Sequence, residues 1–143
     1  MIAYADASFL ASLYLADRNS AVALRVLRAH SVTVLISEFG LLETVSAFYQ
    51  RCFRNELDKK AADSLTENLR RDVDSDFWVL RITPEGAYTR ARGLTSQWTS
   101  KLGTRAGDVL HIATSIELKV DVLFTFDKRQ QHLAKACSMK YMP

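Results

Sequence analysis

Four carboxylates stand where packing alone gives little reason for them: Asp6, Glu43, Asp108 and Asp127. Asp6 closes the apolar run Ile2-Ala-Tyr-Ala, and Asp127 closes Val122-Leu-Phe-Thr-Phe. Each run is followed by a helical pattern, so strand, carboxylate, helix is written twice. In open α/β sheets, ligands bind in the crevice beyond the carboxyl ends of the strands. Glu43 lies on a helical stretch that follows another apolar run, and Asp108 opens the stretch Asp108-Val-Leu-His-Ile-Ala-Thr. All four can meet at one end of a sheet. Carboxylates brought together repel unless something offsets their charge. Mg²⁺ or Mn²⁺ would do so, because hard cations take oxygen ligands and keep several waters. Such a site activates water and neutralises a phosphodiester in its transition state. Each acid alone has a plainer role. Asp6 and Asp127 suit helix caps, Asp108 suits the positive end of a helix dipole, and Glu43 suits a solvated helix face. The joint pattern points to chemistry.

The elements that must position these acids follow from hydrophobic period and capping signals. Residues 2–5 read as a buried strand, with Ser8 as the cap of a helix to about Ala16. Asn19 or Ser20 opens a second helix to about Ala29, and Val32–Ile36 is a β-branched strand. Ser37 caps a long helix over residues 38–55, whose apolar arc is Leu41, Leu42, Val45, Phe48 and Tyr49. Glu43 falls at the margin of that arc, within reach of a crevice. Asp58 caps a charged helix to about Val73, and Phe77–Ile82 is a third strand. Pro84 starts a helix to about Ser100. Thr104 caps the helix that carries Asp108. A last helix spans 128–137, and Met139 to Met142 form a short edge strand. Strands alternating with helices predict an α/β fold with a mostly parallel sheet of four to five strands and helices on its faces.

The bulk properties bound the answer. The chain has 143 residues, enough for one domain with a sizeable core, and no linker or repeat divides it. Its formal charge is +3, a mild basic excess compatible with a polyanionic partner. Cys52 and Cys137 form no CxxC pair and read as reduced thiols of a cytoplasmic protein. No run reaches the roughly 18 apolar residues of a membrane span, and the start lacks a signal-peptide pattern. Asp72-Val-Asp-Ser-Asp76 opens like a calcium loop, but that loop needs Gly and Glu where Phe77 and Thr83 stand.

The ordered motifs resemble a PIN domain, and specifically a VapC-type toxin ribonuclease of a type II toxin–antitoxin system. The resemblance rests on Asp6 after the first strand, then Ser37 and Glu43 on the helix after the second. Next comes Asp108-x-Leu-His-x-Ala-Thr114, and then Thr125-Phe-Asp127 at the end of the fourth strand. It covers the whole chain, residues 1–143, as one three-layer α/β/α domain. It implies a metal-dependent endoribonuclease in which Asp6, Glu43, Asp108 and Asp127 bind one or two Mg²⁺ or Mn²⁺ ions. It also implies an RNA substrate such as a transfer RNA or another structured RNA, a cognate antitoxin protein and a homodimer. Many relatives carry a hydroxyl directly after the first Asp; here Ala7 stands there and Ser8 follows.

Secondary candidates are weighed beside these. Ser8 and Thr125 are expected to support the acids, and Arg105 to hold RNA phosphate. Lys101, Lys128 and Arg129 read as solvated charge. His111 falls off the apolar arc of its helix, which predicts a partly exposed residue rather than a ligand. Arg51, Arg54, Lys59, Lys60, Arg70 and Arg71 alternate with acids and read as a solvated helical hairpin. Trp78 and Trp98 are expected in the core. Two other functions compete: a PIN-fold module that binds RNA or protein without cleavage, and an aspartyl-nucleophile phosphatase. The latter typically wants a second Asp where Ser8 stands.

Overall fold

The computed structural model describes residues 1–143. Its elements in chain order are β1 (Ile2–Ala5), α1 (Ala7–Tyr14), α2 (Ser20–Ala29), β2 (Thr33–Ser37), α3 (Glu38–Phe53) and α4 (Lys59–Asp74). There follow β3 (Val79–Arg81), α5 (Glu85–Leu94), a π-helical turn (Thr95–Thr99), α6 (Ser100–Leu102) and α7 (Ala106–Glu117). The chain closes with β4 (Val122–Phe124), α8 (Lys128–Ala136) and β5 (Tyr141–Met142).

The five strands form one sheet in the order β3-β2-β1-β4-β5. Every pairing is parallel, with Tyr4 opposite Leu35 on one side and Leu123 on the other. The period of two along each strand divides the core into two layers. Ala3, Ala5, Val34, Ile36, Val122 and Phe124 pack with residues of α1 to α4. Tyr4, Leu35 and Leu123 face the opposite way, towards Val109 and Ile112 of α7 and Leu133 of α8. The result is the expected three-layer α/β/α arrangement. Parallel strands covered on both faces carry unbroken apolar runs, as β1, β2 and β4 do.

Several boundaries move for local reasons. Phe77 and Trp78 do not join β3, because both of their N–H groups donate to Asp72 O and close the end of α4. Met139 likewise donates to Ala134 O and belongs to the end of α8, which shortens β5. Pro84 sits just outside α5 rather than at its first turn. The helix expected to run unbroken to Ser100 passes through the π-helical turn at Thr95–Thr99. Leu42, placed on the buried arc of α3, is 66% exposed instead. Trp78 is buried, and its Nε1–H donates to Tyr14 Oη at 2.6 Å. Trp98 is half-buried at the edge of the second core layer, with Lys101 Nζ 5.4 Å from its ring centre. The basic residues of α3 and α4 pair with neighbouring acids, as Arg51 with Glu56 and Arg70 with Glu67. No helix is long and apolar enough to cross a membrane.

Candidate active site

The strand order reverses between β1 and β4: β2 and β3 lie to one side of β1, and β4 and β5 to the other. At such a switch point the two loops leaving adjacent strands diverge and open a crevice at the carboxyl edge. Asp6 leaves β1 there, and its N–H donates to Phe124 O of β4 at 3.1 Å. A cleft of about 450 Å³ opens at this edge, and Asp6, Glu43, Asp108 and Asp127 all line it. The four acids come from four separate elements and share one cavity.

Asp6 is the most enclosed of them, 1% exposed. It caps α1, accepting from Phe9 N–H at 2.9 Å. The cap was expected at Ser8, but Ser8 lies inside the helix and its Oγ–H donates to Asp6 Oδ1 at 2.7 Å. Thr125 Oγ1–H donates to the other oxygen at 2.7 Å. Ser8 and Thr125 therefore both hydrogen-bond the same acid. Burial pushes the Asp6 carboxyl above its ordinary range, while the hydrogen bonds from Thr125, Phe9 and Ser8 work the other way, as would a positive charge on His111.

Asp108 sits in the first turn of α7 and accepts from Arg105 N–H at 2.8 Å through Oδ2. Arg105, not Thr104, is the residue at the cap position. Thr104 is buried, with its hydroxyl 2.8 Å from that of Thr99. Burial raises the Asp108 carboxyl too, and the negative charge of Asp127 adds to the rise. Asp127 caps α8 through Oδ1, which accepts from Arg129 N–H and Gln130 N–H. Its own N–H donates to Thr125 Oγ1, tying the two residues of that loop together. Arg105 is exposed on the rim of the cleft.

Glu43 reaches the cleft from α3, and its Oε2 lies 2.5 Å from His111 Nε2. His111 is the main departure from expectation. It is 1% exposed, and its Nδ1 lies 2.8 Å from Tyr4 Oη. Wheel arguments assume one buried face, but Asp108, Val109 and Ile112 to Ser115 of α7 are buried as well. The usable signal was the absence of any acid, Lys or Arg between Asp108 and Glu117. Gln130 also lines the cleft and was not anticipated. Its Oε1 is buried without a hydrogen-bond partner.

The donor set tests what the cleft can hold. Asp108 Oδ1, Asp127 Oδ2 and Glu43 Oε1 make no hydrogen bond, so three carboxylate oxygens from three elements stay free. Every one is a hard, anionic oxygen, which fits Mg²⁺ or Mn²⁺. No three His, Cys, Asp or Glu side chains converge tightly enough to hold a metal ion between them. An ion that keeps part of its water shell fits this spacing better than a closed protein cage.

A parallel α/β sheet with an acid-lined cleft at its switch point defines the class. The chain belongs to the PIN domain family, a family of nucleases, whose model matches residues 3–136. Among solved structures it is similar to VapC20 of Mycobacterium tuberculosis, a toxin that cleaves the sarcin-ricin loop. The TM-score is 0.72 at 18% identity, over 91% of this chain and 93% of that one. FitAcB of Neisseria gonorrhoeae gives 0.75 at 16%, over 100% and 97%. VapBC2 of Rickettsia felis, bound to a DNA fragment from its promoter, gives 0.70 at 13%, over 99% and 98%. At these identities the likeness is one of fold. No curated protein matches the sequence.

Proposed function

We propose that this chain is a ribonuclease that hydrolyses RNA phosphodiester bonds, and that it is the toxin of a toxin–antitoxin pair. Residues 1–143 act as one domain. Asp6, Glu43, Asp108 and Asp127 form its catalytic and metal-binding site. The observation that carries this reading is the convergence of four acids from four elements on one cleft, in a family of nucleases. Two of those carboxyls are pushed above their ordinary range, and Arg105 is the one basic residue lining the cleft. A cavity with that charge calls for a cation.

Asp6, Glu43, Asp108 and Asp127 would hold Mg²⁺ or Mn²⁺, directly or through its waters. When bound, such an ion supplies charge for the phosphoryl oxygens and lowers the pKa of a coordinated water. Asp6 is locked by three donors, so it defines a fixed point in the cleft. The free oxygens of Asp108, Asp127 and Glu43 orient water and accept its proton. Arg105 on the rim binds backbone phosphate, which positions RNA without reading its sequence.

The substrate is a structured RNA, with transfer RNA and ribosomal RNA the first to be tried. A small antitoxin protein covers the cleft in the inactive complex, as suits a chain whose fold neighbours include VapBC2 and FitAcB. Exposed Leu42, Phe53, Ile82 and Tyr88 leave apolar surface for that partner and for a second copy of the chain in a cytoplasmic homodimer. A phosphatase is disfavoured because both Asp6 oxygens already accept hydrogen bonds, which blunts a nucleophile.

The test is cleavage of total RNA and transfer RNAs in EDTA, Mg²⁺ or Mn²⁺, with Asp6→Asn purified in parallel. Discrete fragments that need the metal, and a loss of at least ~100-fold in Asp6→Asn, are expected. Intact RNA in every lane from folded, Mn²⁺-binding protein would favour the non-cleaving module instead.

A further inference from the structure

Glu43 is the one cleft acid that accepts no backbone N–H, and its only hydrogen-bond partner is His111. We propose that His111 is a positioning residue that holds Glu43 through its neutral Nε2–H tautomer, with Tyr4 and Ser37 setting that tautomer. The proposal rests on the reading that Glu43 serves in the acid cleft.

A buried chain of hydrogen bonds links the backbone of α3 to Glu43. Gly40 N–H donates to Ser37 Oγ at 3.1 Å. Ser37 Oγ lies 2.7 Å from Tyr4 Oη, which lies 2.8 Å from His111 Nδ1. His111 Nε2 lies 2.5 Å from Glu43 Oε2. Ser37, Tyr4 and His111 are each at most 1% exposed, so water does not complete the pattern. Burial drives the Tyr4 phenol well above its ordinary range, so it keeps its proton. Each hydroxyl has one proton to give. If Ser37 donates to Tyr4, Tyr4 donates to Nδ1, and the imidazole proton sits on Nε2, facing the carboxylate. Every donor then has an acceptor.

The reverse direction fails at both ends. A proton on Nδ1 forces Tyr4 to accept it and to donate to Ser37. The Ser37 proton is then left in the interior with no acceptor, a cost that buried polar groups avoid. The bare Nε2 lone pair would also face a carboxylate oxygen. Only one direction satisfies the chain, and it begins at the backbone of α3, in the turn before Glu43.

The consequence for the cleft is geometric. Glu43 Oε2 is occupied, and Oε1 alone is presented. Asp108 and His111 lie one turn apart on α7, so a single helix carries one acid and holds a second. The separation of Asp108 from Glu43 is thereby set by α7, although Glu43 belongs to α3. Neighbours that orient a metal-binding side chain typically matter by about 10–100-fold in affinity or activity.

The test uses Tyr4→Phe, which removes one oxygen and keeps the ring, together with His111→Gln and Glu43→Gln. Long-range ¹H–¹⁵N spectra of the metal-free wild type should show Nε2 protonated and Nδ1 bare, with Nδ1–H gaining population in Tyr4→Phe. Mn²⁺ affinity and kcat for RNA cleavage should each fall by ~10–100-fold in Tyr4→Phe and His111→Gln, with KM for RNA little changed. A proton on Nδ1 in the wild type overturns the proposal, and that spectrum decides even if His111→Gln does not fold. So does wild-type Mn²⁺ affinity and cleavage in both variants while Glu43→Gln is inactive. Full activity of Glu43→Gln would instead overturn the reading of Glu43 on which the proposal rests.

Discussion

Gly107 shows how a single residue in this cleft separates stability from activity. A Cβ added there would lie 3.2 Å from Glu43 Oε1 and 3.3 Å from Phe39 Cζ. Both neighbours must give by a few tenths of an ångström. Glu43 is held at its other oxygen by His111, so it cannot yield freely. Yet Gly107 is in the first turn of α7, where alanine is favoured over glycine by up to about 0.8–1.0 kcal/mol, the helix-interior figure. Gly107→Ala should therefore keep or raise the midpoint of urea unfolding while cleavage drops by ~10-fold or more. Equal loss of both would mean that the helix, not the carboxylate, absorbs the clash. Residue identity and order made the four acids legible in the sequence, because each alone suits a cap or a helix face and only their joint pattern points to one cleft. The relay through His111 was not legible. Its partners are Glu43 and Tyr4, 68 and 107 residues away, and nothing local to α7 names them.

Among the elements, the strands and most helices were readable because their signals are local. Ser37 and Asp58 cap α3 and α4 as read, accepting from Gly40 N–H and Ala61 N–H. The errors came where a backbone or side-chain group found a competing partner. Asp6 displaced Ser8 as the cap of α1, and Asp72 O captured the start of the expected third strand. The π-helical turn has no period of its own in eighteen residues of ordinary helical sequence, so only the fold displays it. The helix ends carry a further feature. Asn55, Asp76, Lys119 and Ser138 all adopt positive φ just past α3, α4, α7 and α8. Left-handed backbone costs a non-glycine residue roughly 1–2 kcal/mol, and glycine largely escapes it. Lys119 is exposed, with φ at 53°, and makes no side-chain hydrogen bond. Lys119→Gly should raise stability by ~0.5–1 kcal/mol in urea denaturation without changing cleavage, the gain being trimmed by the extra freedom of glycine in the unfolded chain. A decrease would mean that the unfolded-state entropy outweighs the relief of strain.

At the scale of the whole molecule, the cleft couples folding to pH and, on the proposed reading, to divalent metal. Burial raises the carboxyls of Asp6 and Asp108, with Asp127 adding to the second, so the folded protein holds these protons more tightly than the unfolded chain does. Above about pH 4 the unfolded chain gives up its Asp protons first. Stability therefore falls as pH rises from there through the folded-state values, then levels off with both acids charged. Glu56, Asp63 and Glu67 shift the opposite way, chiefly through hydrogen bonds from Arg54, Lys59 and Arg70 respectively. They lie at the surface, and their contribution is complete by about pH 5, once the unfolded carboxylates have ionised. In EDTA, Asp108→Asn should thus gain on the wild type as pH climbs above about 4, because asparagine can still accept from Arg105 N–H but carries no charge. Metal reverses the order. An ion that binds only the folded state stabilises it by about 2.7 kcal/mol at a hundredfold excess over its Kd. Unfolding curves at neutral pH with and without Mn²⁺ should show a large gain for the wild type and a small one for Asp108→Asn. Equal gains in the two proteins would remove Asp108 from the metal site and leave its charge as an unoffset cost of the fold.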